Sequence, residues 1–586
     1  MTLYWRLPVS VTVISPWAIP GDEAAGTGQD IRLARDAKKR LILPGTHVKG
    51  HLRAALEAMA EETHIARSRI AELLGSESSA RGPDWTDANV PHRGSVSVGD
   101  LAICACTPEP PATGSDAPWV GDPAVRIEID EDLGSVREGN LLFVECPFSF
   151  GTEVTFAGDI LLRASEDAAK TRELIARAAE RVFAIGGMKS VGYGRVKPGS
   201  WKIGAPAAVR PADAEPTAAR LTIEWQIDRP FLVNASRESG NLVIGDEIIP
   251  GGAIKGALAA LMARSTIAPE QLSAIRISHA FPASDSAPTA WRRPIPLSIS
   301  IASGSAWCHL LGDVETKREP HRFQGDWKEA ERAAVKTALG WPDVEPEKAG
   351  RSRTAIDAET LGARYIDEDQ AVASAVAGQE GGQLFSAIAV RPGGHRWVGE
   401  IAGDAAVLQQ VLAIAKIGIP WLGKTQAIIT ATSWQPAAAA SVLEPGSYYN
   451  LCLITEAALL NPEDLRKGTT LFDAYASTLA RLGLKLERSF TREELRGGYL
   501  ALRYPPESGG YSPWLVTLPG SVLRVSVEDA ALAAQVLAHG LPPADCYSED
   551  WQRTPFLREN GYGQVCHDLV DHATLARGLS LKGAGT

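Results

Sequence analysis

The chain has 586 residues, of which 45% are hydrophobic and 22% are charged, and its formal net charge is −11. This composition is that of an ordinary globular protein, and the length predicts about three or four domains of roughly 150 residues each. The acidic balance argues against a generic nucleic-acid-binding protein, although RNA can still be held in a local basic groove.

Hydropathy and cysteine content point to a protein that is neither secreted nor bound to a membrane. No apolar run approaches the roughly 20 residues that cross a bilayer. The seven cysteines are scattered without framework spacing, which predicts reduced thiols and a cytoplasmic location. Cys104 and Cys106 are expected to point to one buried face of a strand rather than to hold zinc.

Three sequence phrases occur twice in the same order, which indicates a duplicated module. The first set spans 43–56, 126–143 and 185–196, and the second set spans 249–261, 353–385 and 417–427. Two linkers rich in Ala and Pro, at 204–218 and 435–446, divide the chain. The predicted segments are a first module at 1–205, a second module at 218–435 with an insertion at about 282–351, and a C-terminal segment at 446–586.

The predicted elements follow one order in both modules. In the first, a strand at 4–15 precedes the helix after Pro44-Gly45, and a helix at 168–183 leads into a glycine-rich turn. In the second, the matching elements are a strand at 220–233, the helix after Pro250-Gly251 and a helix at 405–415. This order predicts an α+β fold of tandem ferredoxin-like (RRM-like) βαββαβ modules with insertions.

The pattern of the C-terminal segment does not decide whether the segment is a module of its own. It predicts helices at 465–482 and 530–537, a strand at 521–527 and a glycine turn at 558–565. It lacks the Pro-Gly-x-x-x-Lys phrase. It is therefore either a degenerate third copy or a completion of the second module.

The Pro44-Gly45 phrase marks the start of a helix that could bind phosphate. Thr46 is a candidate cap, the helix N-terminus offers free N–H groups, and Lys49 adds a charge one turn later. The alternative is a capped helix with a solvated lysine. The recurrence of the phrase with Lys255 favours a function.

The glycine loop between Gly186 and Arg195 is the second candidate. Glycines let a backbone approach a ligand closely, and Lys189 and Arg195 would then contact phosphates. A tight helix-to-strand turn is an equally good interpretation of the same residues.

Two aspartates, Asp30 and Asp36, lie in the loop after the first strand. A carboxylate in such a loop could hold a divalent cation or orient an attacking 2′-hydroxyl. The alternative is a pair of surface aspartates flanked by Arg32 and Arg35.

Together these phrases resemble the backbone subunits of type III CRISPR effector complexes, which belong to the RAMP superfamily. The resemblance is carried by residues that occur in the family's order: Gly28, Asp30, Arg35-Asp36, Leu43 to Arg53, Ile129-Asp130, Leu142-Phe143 and Gly186 to Arg195. The second module and the C-terminal segment look more like the RAMP protein of subtype III-D, and a tandem of two backbone subunits is the competing interpretation.

The resemblance implies a role in RNA-guided antiviral defence. It implies partners that include crRNA, target RNA, a large polymerase- or cyclase-type subunit, a small subunit and further backbone subunits. It places an endoribonuclease site on Asp30, with Mg²⁺ or Mn²⁺ as the divalent metal and no organic cofactor. The implied RNA-binding residues are Thr46, His47, Lys49, Arg53, Lys189, Tyr193, Arg195, Lys255 and Lys424.

The second module departs from this pattern at the aspartate. Asn241 is the best match to Asp30, with Glu238 and Asp246 less well placed, and an amide is neither a base nor an anionic ligand. The second module is therefore expected to bind RNA without cleaving it. Two alternatives remain open: a non-catalytic subunit that caps the crRNA handle, and a guide-processing endoribonuclease that uses His47 or His51.

Overall fold

A computed structural model gives the architecture of the chain. It describes residues 2–21, 30–36, 38–63, 65–75, 93–107, 124–129, 136–213, 218–234, 236–238, 242–262, 267–284, 287–291, 293–310, 321–341, 344–354, 384–438, 444–497, 500, 512–551, 553–567 and 569–581. Among the helices of these ranges, none is long and apolar enough to cross a membrane.

The first module is built on an antiparallel sheet with helices packed against it. Its elements are β1 Tyr4–Ile14, β2 Ile42–Leu43, α1 Gly45–Thr63, α2 Arg67–Leu74, β3 Val96–Val98, β4 Leu101–Thr107, β5 Ala124–Ile129, β6 Val136–Val144, β7 Glu153–Arg163, α3 Ala168–Glu180, β8 Lys202–Ile203 and β9 Ala207–Val209. The sheet order β4-β7-β1-β8 places the four strands of the βαββαβ unit in the sequence 2-3-1-4. This is the ferredoxin-like arrangement that the sequence predicts.

The second module repeats this plan and carries the insertion. Its elements are β10 Arg220–Ile227, β11 Ser236–Glu238, β12 Leu242–Ile244, α4 Gly251–Met262, α5 Pro269–Ala274, β13 Arg276–Ile277, β14 Phe281–Ser284, β15 Ala287–Trp291, β16 Ile299–Ala302, β17 Ser305–Cys308, α6 Glu329–Ala338, β18 Lys348–Thr354, β19 Leu384–Val390, β20 Arg396–Ala402, α7 Ala405–Ala415, β21 Ile419–Leu422 and β22 Ala427–Pro436. The order β14-β20-β10-β22 is again 2-3-1-4.

The C-terminal segment has a sheet of its own with the same order. Its elements are β23 Tyr448–Leu453, α8 Pro462–Arg466, α9 Leu471–Ala480, β24 Leu484–Phe490, β25 Glu493–Arg496, β26 Trp514–Thr517, β27 Val522–Val527, α10 Ala530–His539, β28 Val565–His567, α11 His572–Ala576 and β29 Leu579–Ser580. The sheet β24-β27-β23-β28 reads 2-3-1-4. Of the two open interpretations, this topology favours a third copy, and we call the segment the third module.

Each module has its own apolar core, and the cores meet at the junctions. Alternate residues of β1 face the first core, including Val9, Val11 and Val13, which is the period of a half-buried strand. Leu3 and Leu161 of the first module pack instead into the core of the second. The first two modules are therefore joined by buried apolar contacts.

The insertion packs against the third module. Strands β16 and β17 form a hairpin, and β29 pairs with β17. Their core includes Ile299 and Val335 of the insertion together with Cys452 and Val522 of the third module. A stretch that the sequence marks as an interruption of the second module is therefore a bridge to the next one.

The expectation for the two neighbouring cysteines is wrong. Cys104 is exposed and Cys106 is half-buried. The pairing of β4 with β7 shifts register between Ile103 and Ala105, and such a bulge breaks the strict alternation on which the expectation rested.

Candidate nucleic-acid interface

The glycine loop of the first module is a tight turn built around a buried tyrosine. A short 3₁₀ helix, Lys189–Val191, is followed by Gly192 and Gly194, whose φ angles are 89° and 66°. A side chain at Gly194 would collide with the carbonyl of Ile185. The loop therefore needs glycine for its own geometry, as the alternative interpretation of the sequence expected.

Tyr193 anchors this loop. It is 6% exposed and packs with Ala18 and Val144, and burial raises the pKa of its hydroxyl. The guanidinium carbon of Arg126 lies 5.8 Å from the centre of its ring. Tyr193 thus serves as a support for the loop, and its ring is not an exposed stacking surface.

Arg126 was missed as a candidate by sequence reasoning. It comes from β5, and its Nη1 lies 3.9 Å from the sulfur of Met188 at the start of the glycine loop. The signal was present, because Arg126 is the first residue of a phrase that occurs twice.

Asp30 lies beside the same hairpin. Its N–H donates to the carbonyl of Phe143 at 2.9 Å, and the N–H of Phe143 donates to Asp30 Oδ2 at 2.7 Å. The side chain is exposed, and Oδ1 has no partner among the described residues. Asp30 is therefore fixed through one carboxylate oxygen and presents the other.

Neighbouring contacts hold this loop in place. Arg35 forms a bidentate ion pair with Glu145, and Glu145 Oε2 also accepts the N–H of Leu33 at 2.7 Å. The residue after Asp30, Ile31, packs against the buried cluster of Ala18, Val144 and Tyr193, as does Met188 of the glycine loop. The Asp30 loop, the β5–β6 hairpin and the glycine loop thus meet around Tyr193, although Asp130 lies outside the described residues.

Asp36 has a local structural role. Its Oδ1 accepts the N–H groups of Lys38 and Arg40 at 2.9 Å each, and its Oδ2 accepts from Arg40 Nε at 2.7 Å. Both oxygens close a turn, so the surface interpretation fits Asp36.

The start of α1 differs from the expectation. The helix begins at Gly45, whose N–H donates to Asp100 Oδ1 at 2.7 Å. Thr46 lies inside the helix, is exposed and makes no side-chain hydrogen bond among the described residues, so its assignment as the cap is wrong. A carboxylate already occupies one of the N–H groups that could have received phosphate.

Behind this helix start lies a group of basic side chains. Burial, with a smaller contribution from Arg53, lowers the pKa of Lys49 to about 8, and burial also lowers the pKa of Lys189. Lys49 makes no ion pair within the part of the chain that the structure describes. Its charge is therefore available to a ligand at neutral pH.

Two histidines line the same region. The rings of His47 and His51 meet edge-on with centres 5.0 Å apart. Burial, and then the charges of His47 and Lys189, lower the pKa of His51 to about 3. His51 is 5% exposed, and its Nε2 has no hydrogen-bond partner among the described residues.

The remaining first-module candidates divide into two kinds. Arg53 donates to the carbonyls of Leu74 at 2.9 Å and Gly75 at 2.6 Å, so it closes the C-terminal end of α2. Arg195 is exposed, and its side chain has no partner among the described residues. Arg195 is free to meet a ligand, whereas Arg53 is used within the fold.

The lysine of the second copy is also used within the fold. Lys255 Nζ donates to the carbonyls of Ser273 at 2.8 Å and Glu559 at 3.3 Å. Burial lowers its pKa to about 8, and Glu559 opposes the shift. Because Glu559 belongs to the glycine turn of the third module, Lys255 joins two modules.

The second glycine loop packs against the first module. Trp421 is buried at a φ of 67°, meets Tyr4 edge-on at 6.2 Å and accepts a hydrogen bond from Arg93 on its carbonyl oxygen at 2.8 Å. Lys424 follows it, is exposed, and donates its backbone N–H to the carbonyl of Leu232 at 2.9 Å.

Strand register supports the alignment of Asn241 with Asp30. Ile31 forms a parallel bridge with Val144, which follows Leu142-Phe143. Leu242 pairs in parallel with Ser386, which follows the matching Leu384-Phe385. Asn241, the residue before Leu242, lies outside the described residues, as does most of the phrase from 353 to 385.

Of the two less well placed carboxylates of the second module, Asp246 is used within the fold. Asp246 Oδ2 accepts from Asn234 Nδ2 at 3.1 Å, and its Oδ1 accepts the N–H of Ile248 at 3.0 Å. Glu238 lies in β11. No group of three or more His, Cys, Asp or Glu side chains suited to a metal occurs in the described ranges.

Comparison with known proteins places the first module in a family. Residues 10–197 match the RAMP superfamily, and no curated protein matches the chain. Three solved structures similar to this chain are of Type III-B Cmr-beta. One, bound to cognate target RNA and AMPPnP, has a TM-score of 0.30 and 11% identity, over 52% of this chain and 86% of that one.

The other two cover 34% of this chain with a TM-score of 0.24. One is bound to cognate target RNA, with 12% identity over 96% of its chain, and one is in the apo state, with 13% identity over 97%. The family match covers the glycine loop, the β5–β6 hairpin and Asp30 together. The match to the RAMP superfamily therefore covers residues 10–197 and includes every part of this candidate interface in the first module.

Proposed function

We propose that the chain is a crRNA-binding subunit of a type III CRISPR effector complex and that its first module takes part in cleavage of target RNA. The observation that carries the proposal is the meeting of three family phrases around Tyr193. They bring an exposed carboxylate and several cationic side chains to one part of a RAMP-superfamily module.

The cations have the properties needed to hold an RNA backbone. Lys49 and Arg195 make no ion pair among the described residues, and Lys189 lies close enough to His51 to lower its pKa. Side chains of this kind position a phosphate backbone without reading its sequence. This suits a subunit of an RNA-guided complex, because base pairing with the guide supplies the sequence specificity.

Asp30 supplies the chemistry in this proposal. Its free Oδ1 orients the 2′-hydroxyl of the target strand and accepts its proton. The 2′-oxygen then forms a bond to phosphorus while the bond from phosphorus to the 5′-oxygen breaks. The products are a 2′,3′-cyclic phosphate and a 5′-hydroxyl, whose proton comes from water.

The arrangement is compatible with a divalent cation that has few protein ligands. Mg²⁺ commonly uses one or two carboxylates and fills its other positions with water and phosphate oxygens. Asp30 Oδ1 is one such oxygen; in this alternative role it would hold Mg²⁺ or Mn²⁺ in place of accepting the proton, and the cation would neutralise charge that develops on the phosphate.

The non-catalytic alternative draws support from the same observation, because a single carboxylate is a sparse metal site. The guide-processing alternative loses support at one of its two histidines. A general acid or base works best with a pKa near the operating pH, and the pKa of His51 is about 3.

The test replaces Asp30 with asparagine in the assembled complex. Asp30→Asn keeps an oxygen that can accept the N–H of Phe143, but it removes the negative charge. We expect one product of labelled complementary RNA to disappear, with at least a hundredfold loss of rate at that position, while crRNA and target binding persist. Asp213→Asn, at an exposed aspartate of the linker, is the matched control and should leave cleavage unchanged.

Three results would count against the proposal. Unchanged cleavage in Asp30→Asn would support the non-catalytic alternative. Loss of guide processing in His47→Gln, with target cleavage intact, would support the guide-processing alternative. Purified protein that cannot bind crRNA would contradict all three functions.

A further inference from the structure

A second cluster of polar and aromatic side chains lies in the insertion, apart from the first module. Ser300 of β16 is fully buried, and its Oγ lies 2.7 Å from His309 Nε2 and 2.8 Å from His321 Nδ1. The two imidazole rings meet edge-on with centres 4.9 Å apart. One serine hydroxyl thus bridges two half-buried histidines.

This bridge couples the protonation of the two rings. A hydroxyl has one proton, so Ser300 donates to one ring nitrogen and accepts an N–H from the other ring. When both rings are neutral, the ring that accepts the serine proton carries its own proton on the nitrogen that faces away from Ser300. The ring that donates to the serine oxygen has a lone pair on its corresponding nitrogen. The far nitrogens, His309 Nδ1 and His321 Nε2, have no hydrogen-bond partner among the described residues. The pair therefore offers one donor and one acceptor.

Two phenyl rings lie beside the imidazole ring of His309. Phe323 is 40% exposed, and its ring centre lies 5.2 Å from that of His309. Phe490, from β24 of the third module, lies 6.4 Å from Phe323 with a ring-plane angle of 24°. Two nearly parallel phenyl rings therefore stand beside the histidine pair at the junction of insertion and third module.

A positive charge completes the cluster. Arg488 is exposed, and its Nη1 donates to the carbonyl of His309 at 3.3 Å. It makes no ion pair within the described residues. A cation that is held by a backbone carbonyl and lacks a carboxylate partner remains attractive to a phosphate.

The chemistry of this cluster argues against catalysis and against a metal. Burial, with a smaller contribution from His321, lowers the pKa of His309, which leaves its neutral form dominant at pH 7. Ser300 is inaccessible as a nucleophile. No third metal ligand joins the two histidines in the part of the chain that the structure describes.

We infer that His309, His321, Phe323, Phe490 and Arg488 form a binding site for the base of an unpaired ribonucleotide. Single-stranded RNA is recognised by aromatic rings that stack on bases and by polar groups that meet base edges. Base edges present a donor beside an acceptor, which the serine-bridged pair complements. RNA as the ligand follows from the proposed function, but the site uses none of the residues of the first module.

The test is photocrosslinking of the full chain to a short oligouridylate that carries 4-thiouridine, followed by peptide mapping. We expect crosslinks on the peptides that contain Phe323 or Phe490. At sub-saturating protein, Phe323→Leu should reduce their yield about 5- to 150-fold, the range expected for loss of one stacked base. Phe472→Leu, at a phenylalanine of the third module that is 42% exposed, is the matched control and should leave the yield unchanged.

The histidine pair has its own variant. His321→Gln should lower the same yield, whereas His395→Gln, at a half-buried histidine of the second module, should not. Circular dichroism of each variant checks that the fold is kept. The wild-type crosslink map does not depend on any substitution.

The map also separates this inference from the proposed function. Crosslinks in the first module alone would overturn the inference and leave the proposed function standing. Crosslinks at the insertion cluster alone would support the inference and count against the first-module interface. Strand cleavage that His309→Gln abolishes, or crosslinking that requires added Zn²⁺, would overturn a site that only binds a base.

Discussion

The two lysines of the repeated phrase show how one residue type serves two purposes. Burial lowers the pKa of Lys49 and of Lys255 to about 8 in each case. Lys255 Nζ is satisfied by the carbonyls of Ser273 and Glu559, whereas Lys49 makes no ion pair among the described residues. The second lysine stabilises a junction, and the first keeps its charge for a ligand.

The pKa of Lys49 makes RNA binding sensitive to mildly alkaline pH. A lysine whose pKa is lowered to about 8 is mostly charged at pH 7 and loses its charge as pH rises through that value. Only the charged form attracts phosphate, so we expect the affinity for crRNA to fall, by at most about tenfold per pH unit, above pH 8. Lys49→Arg should remove most of this fall, because arginine stays charged.

Fluorescence anisotropy with labelled crRNA, between about pH 7 and about pH 9.5, measures this effect. Lys202→Arg, at an exposed lysine of β8, is the matched control and should keep the wild-type curve. A Lys49→Arg curve that also follows the wild type would mean that Lys49 does not contact the RNA.

At the scale of elements, the Pro-Gly phrase recurs for a packing reason. Gly45 and Gly251 are the first residues of α1 and α4. A side chain at either position would collide with a strand carbonyl, that of Val98 or of Ile277. The glycine lets each helix start against the following strand, so the phrase is architectural before it is functional.

This contact predicts opposite effects for two glycines of one helix. Gly251→Ala should destabilise the chain by about 2 kcal/mol or more, because the atoms that surround the added carbon belong to the backbone and cannot move aside without distorting the fold. Gly256→Ala, where no atom lies within 4 Å of the added carbon, should be neutral or stabilising by up to about 1 kcal/mol. Chemical denaturation of both variants measures the difference. Equal stabilities would contradict the proposed packing.

Element order was predictable from sequence because it depends on local patterns. The strand at β1 and the helix at α7 follow from alternation and from helical periodicity over contiguous residues. A signal for the third copy was also present and was missed. Asp167, Asp404 and Asp529 each precede two alanines, and they cap α3, α7 and α10, the second helix of the βαββαβ unit in each module.

The roles of single residues were less predictable because they depend on distant partners. Lys255 and Glu559 are 304 positions apart in sequence, and no pattern near Lys255 indicates that contact. The resemblance implied that Tyr193 binds RNA, but the loop folds its ring inward against Val144. The Ser300 cluster could not be predicted, because its aromatic rings come from two distant parts of the sequence, the insertion and the third module.

At the scale of the whole molecule, each later glycine loop packs on the module before it. Trp421 of the second loop meets Tyr4 of the first module. Tyr562 of the third meets His279 of the second, with ring centres 4.7 Å apart. The first loop packs instead on its own β5–β6 hairpin, through Tyr193 and Met188.

The junction between the second and third modules depends on a neutral histidine. His279 is buried, and its Nδ1 accepts the N–H of Gly251 at 3.4 Å. The turn at Gly561 and the ring of Tyr562 cover it from the third module. Burial lowers its pKa to about 3, so the folded chain excludes a proton that the unfolded chain binds.

Lowering the pH should therefore destabilise this junction at pH values well above those at which carboxylates titrate. The unfolded histidine has an ordinary pKa of 6.5 and the folded one of about 3. The contribution of His279 to the free energy of unfolding is then fully present above about pH 6.5. Below that pH it decreases by at most about 1.4 kcal/mol per pH unit. His51 adds a second contribution of the same sign in the first module.

Urea unfolding midpoints between about pH 7.5 and about pH 5.5 measure this loss. His279→Gln should lower stability at neutral pH but make its decline with acid shallower, because the proton that His279 takes up on unfolding is no longer taken up. His395→Gln, at a half-buried histidine outside the junction, should keep the wild-type slope. If the slope of His279→Gln equals that of the wild type, His279 is protonated in the folded chain, and the contact that joins the two modules does not require its neutral form.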